Sequence, residues 1–351
     1  MKNMFKYYLK KRLPLFTIIL GISLIITIVF IFSFNFIREY QITDGTRVKT
    51  INSTGMIYLT TILLILCIFY PIYEFSFKMK RTSCDLFYSL PIKRNRLFIT
   101  KYLLGLGQIL LIFLINFIII MITGIIVFSN KDFYNSSLKE MYNFNAGYYF
   151  MYFGIMLILS TLLYSWNTFF FTRCNTIVDG VINMFISSIV LASAIFGVVT
   201  FLSKINGIDS SIFKSIYPMD YANFVSLYGL TIQIEDLASS GKFYLSIVSI
   251  IITWTLCAIA LVLFIILSKN EKAEDTGDVS NSYFSYKVFI PIFIISLLMS
   301  STNLVFIAII IGGYIGYVIF NKNFKLKKND WIAYAISVGV GIIFMIVGSI
   351  L

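Results

Sequence analysis

The chain has 351 residues, 59% of them hydrophobic and only 13% charged, with a formal net charge of +12. A soluble domain carries about 25% charged residues, so a water-soluble globule is excluded. There is no histidine, which removes the commonest metal ligand and the commonest acid–base group near neutral pH.

The charges cluster between continuous apolar runs of about 20 residues, the length that crosses a hydrocarbon core as a helix. Backbone polar groups find no water there, so helices are the natural spanning form. A β-barrel would instead need alternating segments of about ten residues. The expected fold class is therefore all-α, a polytopic membrane helical bundle.

In chain order, Lys2, Lys6, Lys10, Lys11 and Arg12 precede the first predicted span, Pro14 to Phe36. That run is too long for a signal-peptide core and no small-residue cleavage site follows, so it reads as an uncleaved anchor. Further spans are predicted at Thr54 to Phe75, Tyr102 to Phe128, Gly147 to Phe171, Ile177 to Leu202 and Phe243 to Leu267. The interval Val288 to Phe320 is too long for one span, and Ser300, Ser301, Thr302 and Asn303 interrupt it. A hairpin there returns Lys322, Lys325, Lys327 and Lys328 to the basic side, ahead of a last span from Trp331 to Leu351. Nine spans follow, with the N-terminus cytoplasmic and the C-terminus extracellular in the cell membrane. This arrangement puts 20 of the 28 Lys and Arg residues inside, as the positive-inside rule requires. The basic balance is thereby explained by membrane asymmetry, and nucleic acid is not an expected partner.

The loops differ in kind. The outer loop Ser203 to Lys242 is rich in apolar residues such as Phe213, Tyr217 and Phe224, which predicts short interfacial helices. The inner loop Ser268 to Lys287 mixes Lys with Glu271, Glu274, Asp275 and Asp278, which predicts a polar, mobile segment. Cys67, Cys84, Cys174 and Cys257 all fall in spans or on the inner side, so no disulfide is expected.

The most informative interval lies between the second and third spans. Asp85 sits three residues after Thr82, a spacing that favours a helix start near Thr82. Phe87 and Leu90 share one side, Asp85 and Ser89 another. Pro91 ends the turn, and the basic Lys93, Arg94 and Arg96 follow. Two readings fit this short amphipathic element: a docking surface for a cytosolic protein, or a basic turn resting on anionic lipid.

Chemistry of its own is scarce. No Gly-x-x-x-x-Gly-Lys-Ser/Thr string occurs, and Gly241-Lys242 lacks both the upstream glycine and the hydroxyl residue, so no phosphate cradle and no cofactor are expected. Without histidine or clustered cysteine, neither a catalytic nor a metal site is predicted. Asp179 and Glu74 lie near inner span ends, and few charges lie deeper, which argues against an ion-coupled carrier. Gln108, Asn116, Asn167 and Asn183 either line a substrate route or hydrogen-bond between helices. Gly105, Gly107, Gly312, Gly313 and Gly316 are expected at close helix contacts.

The string Asp85 to Leu103, DLFYSLPIKRNRLFITKYL, resembles the segment between the second and third spans of ABC-2 type transporter permeases of Gram-positive bacteria. Ile216-Tyr217-Pro218 resembles the proline-containing turn in the long outer loop of many such permeases, and Lys272 to Gly277 a charged segment after the sixth span. The resemblance covers residues 1 to 287, a six-span core, and leaves 288 to 351 as a C-terminal transmembrane extension. It implies the permease subunit of an ATP-binding cassette exporter that is not itself an enzyme. The implied partners are a separate cytosolic ATPase, a second or paired permease, and membrane lipid. In that family the inner helix is a coupling helix. Carried over, Asp85, Leu86, Phe87, Tyr88, Ser89, Leu90 and Pro91 form the ATPase seat, with Lys93, Arg94 and Arg96 at its edge or on lipid headgroups. The alternative is a membrane sensor or assembly protein that recruits a regulator through the same patch.

Overall fold

A computed structural model describes residues 2–33, 37–41, 47–51, 54–89, 92–129, 146–204, 247–270, 276–277, 282, 284–300 and 305–350. The predicted interfacial helices of the loop 203–242, apart from its first two residues, lie outside the described residues, as do Leu90 and Pro91.

Among the described residues ten α-helices follow in order: α1 (Lys2–Ser33), α2 (Thr54–Phe75), α3 (Arg81–Tyr88), α4 (Arg94–Ser129), α5 (Ala146–Thr172), α6 (Ile177–Lys204), α7 (Ile247–Leu267), α8 (Tyr286–Ser300), α9 (Val305–Asn321) and α10 (Lys328–Ile350). Short 3-10 turns, Ser76–Met79 and Ser268–Asn270, follow α2 and α7. An antiparallel ribbon of β1 (Ile37–Gln41) and β2 (Arg47–Ile51), with Ile37 opposite Ile51, joins α1 to α2. That ribbon apart, the fold is an all-α polytopic bundle. Among the described residues six helices are long and apolar enough to cross a membrane, and the protein is a multi-pass membrane protein.

Helix α1 begins at Lys2, so the basic residues are one continuous helix with the first span, and Pro14 lies inside it. Likewise α4 starts at Arg94, eight residues before the predicted span. The interval 288–320 is two helices, as a hairpin requires. At about 1.5 Å per residue, α8 with 15 residues and α9 with 17 are shorter than a full crossing of about 30 Å.

The described residues fall into two compact units that interleave along the chain. Helices α8, α9 and α10 group with α6 in one of them.

In the first unit (Met1–Tyr70, Arg96–Tyr164 and a further segment) α1 and α4 run the same way. The Tyr8 ring lies near Lys101, and Ser23 bonds Asn116, pairs with the same offset of 93 residues. Helix α5 runs opposite to α4, as the ring pairs Tyr102–Tyr164, Phe113–Phe153 and Phe117–Phe150 show. Helix α2 runs with α5, tied by Thr60 to Tyr152 at 2.6 Å and by the Cys67 thiol to the Ser160 carbonyl at 3.7 Å.

In the second unit α8 is the hub. Its buried face holds Tyr286, Ile290, Ile294 and Leu298, packed with Tyr317, Phe320 and Tyr334. Helices α6 and α10 run parallel to it. Ser296 donates to Ser193 at 3.1 Å, and Gly341 faces Leu298. Helix α9 runs back antiparallel, Gly313 facing Ile294 and Gly316 facing Ile290. The starts of α6, α8 and α10 and the end of α9 thus lie together, joined by Asn183 to the Phe284 carbonyl, Tyr286 to Asn321 and Asn321 to Asp330. The lysine-rich turn Lys322–Lys328 sits at this same end.

Candidate functional site: a helix on a hydrogen-bonded platform

Helix α3 lies at that basic end of the second unit, and its foundation is built from three distant stretches. After α2 the chain tightens into the turn Ser76–Met79, which buries Phe77, Lys78 and Met79. A buried ammonium is costly unless it is hydrogen-bonded. Lys78 Nζ donates to the Thr172 carbonyl at the end of α5, where the helix leaves carbonyls without intrahelical partners. Thr276 Oγ1 donates to the Lys78 carbonyl at 3.1 Å, and Gly277 N donates to the Asn175 carbonyl at 3.1 Å. Gly277 has φ +92°, a left-handed conformation that favours glycine.

The α5–α6 turn is fixed just as closely. Thr176 caps α6, its hydroxyl accepting from Asp179 N at 3.2 Å, with Asp179 in the first turn against the helix dipole. Gly180 lies flat on the Phe171 ring, where a Cβ would come within 2.8 Å. Asp179, noted in the sequence as a charge near a span end, is thus part of a helix start.

On this base α3 turns one face inward. Cys84 is fully buried, and Phe87 packs edge-on against Phe77 at 4.7 Å between ring centroids. Tyr88 also touches Phe77, and the Arg94 guanidinium lies 4.7 Å above the Tyr88 ring. The opposite face carries Thr82, Asp85, Leu86 and Ser89, all exposed, at the i, i+3, i+4, i+7 spacing of one helical stripe. Leu86 is 65% exposed, an apolar knob among polar neighbours. Lys93 and Arg96 are exposed and Arg94 is half-buried.

Three expectations change here, and the residues of the predicted seat divide between two faces. The helix starts at Arg81 with Lys80 at its cap and no side-chain cap bond, so Thr82 and Asp85 do not form the start signal. The backbone is instead aimed by the preceding 3-10 turn. Of the predicted seat, Asp85, Leu86 and Ser89 face out, whereas Phe87 and Tyr88 pack on Phe77 and Arg94. The loop after α7 is not uniformly mobile: Thr276 is buried and bonded. A Cβ added at Gly107 or Gly312 would meet nothing within 4 Å, so among the described residues neither sits at a close contact; Gly180, Gly197 and Gly341 do. A threonine followed by glycine inside a charged stretch was the signal available for the Thr276–Gly277 latch.

Two of the polar span residues bond between helices. Asn116 donates to Ser23 at 3.1 Å and accepts from Thr27 at 2.6 Å. Asn183 donates to the Phe170 carbonyl at 2.9 Å. Gln108 and Asn167 are buried.

The platform holds little that is reactive. Burial pushes the Cys84 thiol above its ordinary range, against the opposing pull of a hydrogen bond with Thr276 and, more weakly, of Lys78 and Arg94, and burial pushes Cys174 up to about 12. Both therefore stay protonated near neutral pH, and a protonated thiol is a poor nucleophile. All four cysteines are buried thiols outside any disulfide. Among the described residues no three His, Cys, Asp or Glu side chains gather where they could hold a metal ion. What the arrangement offers is mechanical: a short helix, one face packed on the 3-10 turn that Lys78 and Thr276 hold in place, and one face open. Comparison with family models, characterised proteins and solved structures returns no match, so the chain stands, on its own architecture, as a multi-pass helical membrane protein that carries a rigidly mounted helix at its basic end.

Proposed function

We propose that the chain is the transmembrane subunit of an ATP-binding cassette exporter and that a separate cytosolic ATPase seats on α3. The observation that carries the reading is the outward stripe of α3, with Leu86 exposed on a base fixed by Lys78, Thr276 and Gly277. A lever must be stiff toward the spans and open toward its driver, and α3 meets both conditions. The resemblance of Asp85 to Leu103 to the ABC-2 permease segment supports the same reading, as does the concentration of lysines at this end of the unit. ATP-driven closure of the ATPase would press on α3, and the platform would pass the displacement to the ends of α5 and α6. A second or paired permease would complete the complex.

The test is capture of a free-standing ATP-binding cassette ATPase from the same cells. Wild-type protein in detergent should retain it, and Leu86→Asp should reduce recovery at least about tenfold while eluting as a folded particle. Equal recovery by the folded variant removes the seat. In reconstituted vesicles the wild-type complex should hydrolyse ATP faster than the ATPase alone.

A further inference from the structure

The turn between α9 and α10 sets a bare aromatic ring among lysines. Phe324 is 81% exposed, more than any other large hydrophobic side chain among the described residues. Lys322, Lys325, Lys327 and Lys328 flank it in sequence and are all exposed. A single exposed apolar side chain is ordinary on a soluble surface, so the surroundings of this one decide its meaning.

The turn is held in one shape. Lys322 ends α9 in the left-handed conformation, φ 52°, and its N–H donates to the Ile319 carbonyl at 3.4 Å. A Cβ makes that conformation costly, and glycine or asparagine usually takes it. Asn323 stands next in the chain, yet a lysine holds the place. The Asn323 side chain accepts from Lys325 N at 3.1 Å, and Asn321 donates to Asp330 at 2.9 Å across the base of the turn. The Tyr314 hydroxyl donates to the Phe324 carbonyl at 2.9 Å. Tyr314 lies about two turns before the end of α9, so the segment folds back along the flank of the helix and does not extend away from it.

That fold sets the depth of Phe324. The Tyr314 ring lies 6.4 Å from the ring of Trp331, which is exposed at the start of α10. Tyrosine and tryptophan at the ends of apolar helices sit at the level of the lipid headgroups. Deeper along the same two helices, Ile311, Ile315 and Ile319 of α9 and Ile332 and Ile336 of α10 are exposed, facing acyl chains in a multi-pass protein. Phe324 therefore continues a hydrocarbon-facing surface, and the lysines stand where that surface reaches water. An anionic bilayer surface matches both features. The ring has an acyl boundary to enter, and the ammonium groups have phosphates to meet, their apolar stems letting them reach outward. A soluble acidic protein would match the lysines alone, because the turn is pinned to the lipid-facing flank.

We infer that the turn Lys322–Lys328 is a membrane anchor: Phe324 enters the headgroup–acyl boundary, and Lys322, Lys325, Lys327 and Lys328 gather anionic phospholipid headgroups around it. Helices α8 and α9, with 15 and 17 residues, are shorter than a full crossing. The anchor fixes the depth at which that pair sits in the bilayer. The inference is independent of any ATPase.

The full chain carrying Phe324→Cys is labelled there with bimane, the native thiols being buried. It is reconstituted in phosphatidylcholine vesicles that contain a trace of either phosphatidylglycerol or phosphatidylcholine bearing a nitroxide high on its acyl chain. Both lipids should quench the fluorophore. Phosphatidylglycerol should do so about fivefold more effectively, the ratio that about 1 kcal/mol gives. Changing Lys322, Lys325, Lys327 and Lys328 together to Gln should bring the ratio to about one. Lys6→Gln/Lys10→Gln, which removes charge from exposed positions on α1, should leave it within about twofold. A label at Asn329→Cys, with Phe324 in place, should report the same preference. The inference is overturned if neither lipid quenches, which would put the turn in water and open to a soluble partner. It is equally overturned if the two lipids quench alike, or if the turn variant, eluting as a folded particle, keeps the preference.

Discussion

Helix α1 meets α4 mainly through hydrogen bonds and buried polar side chains, whereas α8 meets α6, α9 and α10 mainly through glycine notches and apolar side chains, with isolated hydrogen bonds such as Ser296 to Ser193. In lipid neither seam gains from excluding water, because acyl chains are as apolar as leucine. The first seam is held by bonds that Asn116 makes to Ser23 and Thr27 in addition to those each side chain makes to its own helix, which separation would remove. The second is held by dispersion, which requires backbones close enough for many simultaneous contacts. Gly197 permits this, since a Cβ there would run into the Ser296 backbone. The polar seam therefore tolerates small shifts and depends on chemical identity. The notched seam tolerates polarity changes and depends on volume.

The sharpest test of that contrast is Gly197→Leu. It should cost about 3 kcal/mol, because the conflict is with backbone and no rotamer relieves it. Unfolding followed by circular dichroism in detergent measures this, and a loss below about 1 kcal/mol would mean that α6 and α8 can part without penalty. Next comes Gly277→Ala, which puts a side chain at φ +92° and should cost about 1–2 kcal/mol locally. Its readout is Cys84. Burial raises that thiol's pKa, so folded protein should alkylate slowly at pH 8. Releasing the latch opens the platform, lets water and reagent reach the buried thiol and speeds the reaction several-fold. An unchanged rate would separate Thr276 and Gly277 from the platform.

Asn116→Leu removes both bonds to α1 and should cost about 1 kcal/mol. Combined with Thr27→Val it should cost less than the two single changes together, since each removes the same bond; strict additivity would mean that the bond contributes nothing. The smallest effects are expected at Gly107→Leu and Gly312→Leu, below about 0.5 kcal/mol each, because open space surrounds both. A large loss at either site, seen only in the assembled complex, would place a partner's helix there.

Much of this protein could be read in the residues directly. The nine predicted spans correspond to nine helices among the described residues, because runs such as Ile247–Leu267 have no stable alternative in a bilayer. The division of this stretch into α8 and α9 was legible for the same reason: small and polar residues interrupt a hydrocarbon-soluble run. The location of a short amphipathic helix after α2 could be read too, though not its start. Lys80 caps it where Thr82 had the better local chemistry, because the preceding 3-10 turn, held by Lys78, sets the chain direction.

What the sequence determined by itself is partition: which segments leave water, and which end of each carries the positive charge. That follows from transfer free energies summed over single residues, which need no knowledge of neighbours. Only the tertiary structure decided which glycine lies against which helix, that Thr276 and Gly277 brace a helix almost 200 residues earlier, and that Arg12 and Lys101 share one tyrosine. Those are pairings between distant positions, and no local pattern encodes the partner. They are settled by which faces of the inserted helices fit one another once water has been left behind.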